Sequence, residues 1–103
     1  MPASAIHVIT LAEALPEHFP EVARTLSGMA DLCRQEEGCL RFDVYADSKR
    51  PFALNTIETW ESRDAHQRHL DSAHVARGVL SLLGKMRGLP DIRVLRAISE
   101  LDE

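Results

Sequence analysis

The sequence contains no apolar run near the ~20 residues that a membrane-spanning helix needs, so no membrane span is expected. Its start, MPASAIHVITL, lacks the basic opening and long apolar middle of a secretory signal. Positive charge is not in excess. Twelve Lys and Arg stand against 16 Asp and Glu, a net charge of −4, which removes the general electrostatic case for nucleic acid. Cysteine is scarce, with only Cys33 and Cys39, and CxxC spacing is absent. Free, partly buried thiols in a reducing cytoplasm are therefore expected rather than a redox pair. Tryptophan occurs once, and repeats, linkers and low-complexity segments do not occur. What is present is 45% hydrophobic and 27% charged residue content over 103 positions, which suits a single domain spanning 1–103 with one core.

The pattern along the chain predicts its elements. Ala5–Leu11 is β-branched and apolar and reads as a strand. After Pro16 and Pro20, apolar residues from Phe19 to Cys33 recur at spacings of three and four, which predicts a helix over Glu17–Glu36 with Gly38 as its stop. Cys39–Asp47 alternates, with Leu40, Phe42, Val44 and Ala46 on one face. DSKRP then turns the chain into a second strand, Phe52–Trp60. Ser62 is placed to cap a short helix over Arg63–Leu70. A break at Asp71–Ser72 leads into a helix over Ala73–Met86, with Leu83 and Met86 inward, and Asp91–Ser99 reads as the last strand.

The order βαββαβ predicts an α+β, ferredoxin-like fold with one four-stranded antiparallel sheet and helices on one face. The first and last strands are apolar on both faces, so the open face is expected to pack on another sheet. The most economical partner is a second copy of the chain, giving a homodimer through the sheet faces. Arg41 and Tyr45 are expected in that interface, and Arg77, Lys85 and Arg87 on a solvated face.

With these elements placed, EEGCLRFDVYAD, ETWES, the pair His69–Leu70 and SAHV resemble the antibiotic biosynthesis monooxygenase family of dimeric α+β barrel proteins. The likeness runs from Ala5 to Ser99. It implies a pocket between sheet and helices, and a cofactor-independent monooxygenase that takes a quinol or related phenolic or enolic small molecule and O2. By position, Glu58 and Trp60 match the family's E-x-W, and His69 matches its His-Leu. Polyketide-oxidising members carry Asn where Thr56 stands. Haem-degrading members carry an axial His near Val79, so the resemblance implies no haem here. Phe42, Thr56 and Val79 are expected to line the pocket.

The residues themselves leave alternatives open. His66 and His69 stand three apart and His74 follows five later, but nothing else in the sequence has ligand spacing, so no metal site is expected. His66 is read as solvent-facing and His74 as bordering the next helix. His69 suits general-base chemistry, because imidazole titrates near neutrality. It equally suits a helix histidine bonded to the sheet, through Glu58. Trp60 suits either a substrate wall or the core. Glu58 points inward with Trp60 by parity and requires a partner, expected to be a His or Arg. An isomerase of a small hydroxy-carbonyl metabolite and a non-enzymatic ligand-binding dimer remain the alternative functions.

Overall fold

A computed structural model describes residues 4–101. Four strands, β1 (Ile6–Glu13), β2 (Cys39–Ala46), β3 (Ala53–Trp60) and β4 (Asp91–Leu95), form one antiparallel sheet in the order β2-β3-β1-β4. Three helices, α1 (Phe19–Cys33), α2 (Arg63–Leu70) and α3 (Ala73–Ser81), connect them. This is the ferredoxin-like α+β arrangement the pattern predicts.

Register decides which side chains meet. β3 pairs with β1 so that Trp60 lies opposite Ile6, Glu58 opposite Val8 and Thr56 opposite Thr10. On its other side Phe42 lies opposite Glu58. Side chains alternate along a strand, so these residues share the inner face. There Ile6, Val8, Phe42 and Trp60 pack with Ala30 and Cys33 of α1 and Ala65 of α2. A second cluster joins Ala14, Val22 and Leu54 to Leu26, Leu82 and Met86.

Several boundaries differ from the pattern. α1 ends at Cys33 rather than Glu36, and residues 34–37 form turns that lead into β2. Gly38 is therefore not the helix stop. It has φ +86°, a left-handed backbone that favours glycine, and a Cβ there would meet Ala65 Cβ at 2.5 Å. That contact lets α2 sit directly on the α1–β2 junction. Leu40 is the extra residue of a bulge between Cys39 and Arg41, so it leaves the Phe42 face and is exposed. α3 ends at Ser81 rather than Met86. Gly84, at φ +76°, turns the chain, and Met86 instead bridges to Ala14 beyond β1. Leu83 is consequently exposed rather than inward. β4 stops at Leu95, and a short 3-10 turn over Ile98–Glu100 follows. Arg77 and Arg87 lie on an exposed face, as expected, with Arg87 paired to Glu13, while Lys85 is partly buried and paired to Glu21. Among the described residues no helix is long and apolar enough to cross a membrane.

Candidate active site

β3 carries the first group. Glu58 is 3% exposed. One of its oxygens accepts from the Thr56 hydroxyl at 2.7 Å and the other from the Trp60 indole N–H at 2.8 Å. Both donors come from the same face of the same strand, two residues away on either side. The expectation that Glu58 partners a histidine is thus corrected, because Thr56 and Trp60 already occupy its two oxygens.

The histidine finds a different carboxylate. His69 Nδ1 lies 2.8 Å from Oε2 of Glu36, in the turn after α1. Glu36 Oε1 lies 3.0 Å from Nε2 of His74, at the start of α3. An ionised carboxylate only accepts, so His69 Nδ1 is assigned the proton of its bond. The other ring nitrogen, Nε2, has no hydrogen-bond partner among the described residues. It is not sealed off, since no fully buried side-chain nitrogen or oxygen lacks a partner. Ser62 caps α2 by accepting from Ala65 N at 3.1 Å, and Ser72 caps α3 by accepting from Val75 N, so the corner that presents His69 and His74 is held at both helix starts. The Ser72 hydroxyl also donates to the His69 carbonyl oxygen at 2.7 Å.

The rings lie close together in a short series, tilted except for the stacked His66–His69 pair. The His69 ring centroid lies 4.6 Å from that of Trp60 and 5.6 Å from that of Phe42, and the His66 ring lies 6.0 Å from both Trp60 and His69. His66 is 7% exposed, which corrects its reading as a solvent-facing residue. Its position on α2 turns it onto the Trp60 ring. Burial is the main cause that lowers its pKa below the ordinary 6.5, a nearby His69 adds to this, and the Glu58 charge opposes it.

His66 and His69 border a cavity of about 330 Å3. Phe42, Thr56, Glu58 and Val79 also line it. Leu26, Leu54, Leu82 and Met86 form an apolar side, and Leu83, Leu89 and Ile92 stand at an exposed rim. Trp60 is not a wall of this cavity. It is 0% exposed, fastened by Glu58 and covered by the histidines, so it forms the floor under them. A larger polar depression of about 590 Å3 lies near Arg63 and Arg96, and no histidine reaches it.

Residues 5–80 match the antibiotic biosynthesis monooxygenase family. The chain belongs to that family. Among solved structures it is similar to an antibiotic biosynthesis monooxygenase, at 27% identity and a TM-score of 0.85 over 90% of this chain and 98% of that one. It is also similar in fold to a conserved protein from Methanosarcina mazei, at 23% identity and TM-score 0.85 over 91% and 93% of the two chains. A Mycobacterium tuberculosis protein matches at 23% identity and TM-score 0.86 over 92% and 96%. No curated protein sequence matches the chain.

Three residues of the site in this family member escape a linear reading. Glu36 is 33 residues from His69, and nothing in EEGC marks the first or second Glu as inward. His66 and His74 are visible in the sequence, but their burial depends on how α2 lies over Trp60. The cysteines fit expectation, being free, with Cys33 buried and Cys39 partly so. Burial pushes the Cys33 thiol up to about 12 and the Cys39 thiol to about 11, so neither is a ready nucleophile.

Proposed function

We propose that this protein is a cofactor-independent monooxygenase of a quinol or related phenolic or enolic small molecule, with His69 as general base. One observation carries the reading: Glu36 engages Nδ1 of His69, Nε2 has no hydrogen-bond partner among the described residues, and His69 lines an apolar cavity. A neutral imidazole with a proton on Nδ1 has its basic lone pair on Nε2. That nitrogen takes the substrate hydroxyl proton, and Glu36 stabilises the imidazolium that results. The substrate anion is then electron-rich enough to pass an electron to O2. One oxygen atom enters the substrate carbon. The two hydrogens lost from the substrate leave with the other oxygen as water, so the substrate supplies both electrons. Apolar walls exclude bulk water from the reactive pair.

A cavity of about 330 Å3 is near the lower end of small-molecule sites, which suits a substrate of one or two rings. Phe42 and Val79 give it apolar surface, and Thr56 offers a hydroxyl at the sheet side. Glu58 and Trp60 act as positioning residues, holding the floor on which His69 rests. A homodimer through the sheet faces completes the reading. The outer face carries Ile9, Leu11, Ile57 and Leu95 beside Arg41 and Tyr45, a mixture typical of interfaces. Free thiols fit a cytoplasmic setting.

Oxygen uptake with a panel of quinols, on protein stripped of metal and flavin, tests the proposal. Wild type is expected to consume O2, and His69→Ala to lose about 10²–10⁴-fold in rate, the contribution of a general base. Equal rates for the two proteins would overturn the base assignment. Turnover without O2 would replace the oxygenase by an isomerase using the same proton transfer.

A further inference from the structure

We propose that Cys33, Glu36, His69 and His74 form a four-donor site for a divalent transition ion of the zinc type, at the corner where α1 ends and α2 meets α3. One donor atom from each residue lies within 4.8 Å of all the others. The donors are a thiol sulfur, a carboxylate oxygen and two imidazole nitrogens, a mixed set that suits zinc and cobalt and not calcium or magnesium. Two short spacings supply them. Cys33 ends α1 and Glu36 follows three residues on, in the turn after it, and His69 and His74 stand five apart across the Ser72-capped break. An ion here would staple two segments that only the fold brings together.

Charge supports the same conclusion. Glu36 is 15% exposed at its side chain, and its two ion-pair partners are His69 and His74. Among the described residues no Lys or Arg pairs with it. A partly buried carboxylate whose ion-pair partners are two imidazoles lacks a permanent positive charge, which a divalent ion supplies. Zinc bonds of about 2.0–2.3 Å place tetrahedral donors about 3.3–3.8 Å apart. The Glu36 contacts of 2.8 and 3.0 Å would open slightly, and the wider separations of the set would close by about 1 Å. The ion's own charge would drive the proton from the Cys33 thiol on binding. Four protein donors close a zinc shell, so the ion would be structural and would not meet the substrate.

The site has a consequence for the base, which rests on the oxygenase reading above. A metal on Nδ1 of His69 displaces the proton of that nitrogen to Nε2. The loaded protein then presents an N–H donor to the cavity, and the metal-free protein presents an acceptor. Binding itself does not depend on that reading.

Cobalt(II) titration of the full-length reduced protein tests the site. Wild type is expected to bind one cobalt per chain, with the visible bands of tetrahedral cobalt and a thiolate-to-cobalt band in the near ultraviolet, and zinc is expected to bleach both. His74→Ala, which lies at the edge of the site, should weaken binding by about tenfold or more, Cys33→Ser should abolish the thiolate band, and Cys39→Ser should leave both signals intact. No bound cobalt in wild type, an octahedral spectrum without the thiolate band, or unchanged binding in folded His74→Ala would each overturn the site. A protein that binds cobalt but shows no oxygen uptake when metal-free would keep the site and remove only its consequence for His69.

Discussion

Two carboxylates hold the rings beside the cavity, Glu58 through Trp60 and Glu36 through His69, and their surroundings differ. Glu58 is held by a hydroxyl and an indole N–H from its own strand, two donors that keep their protons across the ordinary pH range. Glu36 is held by two imidazoles from two helices, groups whose ring nitrogens donate or accept according to where the proton sits. The first arrangement is local, closed and fixed, and so suits a floor. The second is assembled from three elements and is able to move a proton, and so suits chemistry. A carboxylate's burial alone does not distinguish the two roles; the kind of partner does.

The sharpest way to break the contrast is to remove the floor. Trp60→Ala empties the most buried large side chain of the inner cluster and leaves one oxygen of Glu58 without its donor. A loss of about 3–5 kcal/mol is expected in urea denaturation, a large share of the stability of a small domain. Glu58→Gln is milder. It places an NH2 against a hydroxyl or an indole N–H, and about 1–3 kcal/mol of stability should be lost with the fold kept.

The histidine side of the contrast is read through pH. The His66 pKa is lowered in the folded protein, so between the ordinary 6.5 and the lower folded value the unfolded chain binds more protons. This group's effect on stability therefore sets in as pH falls through 6.5, grows as it falls further, and levels off below the folded value. His66→Leu is expected to remove that slope. Denaturation midpoints of both proteins between neutral and mildly acidic pH measure it, and identical slopes would contradict the assigned burial effect. The smallest change is expected at the rim. Leu89 is 94% exposed, so Leu89→Ser should alter stability by less than about 0.5 kcal/mol. Any effect should appear in KM with stability unchanged.

Much of this arrangement was legible because it follows short periods. Alternation along 52–60 places Thr56, Glu58 and Trp60 on one face, and the register then brings Phe42 beside them. The helix-spacing pattern around Val22, Ala30 and Cys33 locates the buried side of α1. Ser62 announces the start of α2. What was not legible depends on distances through space. Glu36 reaches His69 only because the chain turns after Cys33 and Gly38 admits α2 against it. His66 has the polarity of a surface residue, and only the placement of α2 over Trp60 buries it. The end of α3 was marked by Gly84, but the apolar run Leu80–Leu83 outweighed that signal in a pattern reading.

The central claim is that Glu36 fixes His69 with its proton on Nδ1 and a bare Nε2 toward the cavity. Long-range proton–nitrogen correlation NMR on metal-free, nitrogen-15-labelled protein above neutral pH reads the tautomer of each histidine directly. For His69 the account predicts a protonated Nδ1 and an unprotonated Nε2, with the preference lost in Glu36→Ala. A His69 that carries its proton on Nε2 in the wild-type protein would contradict it.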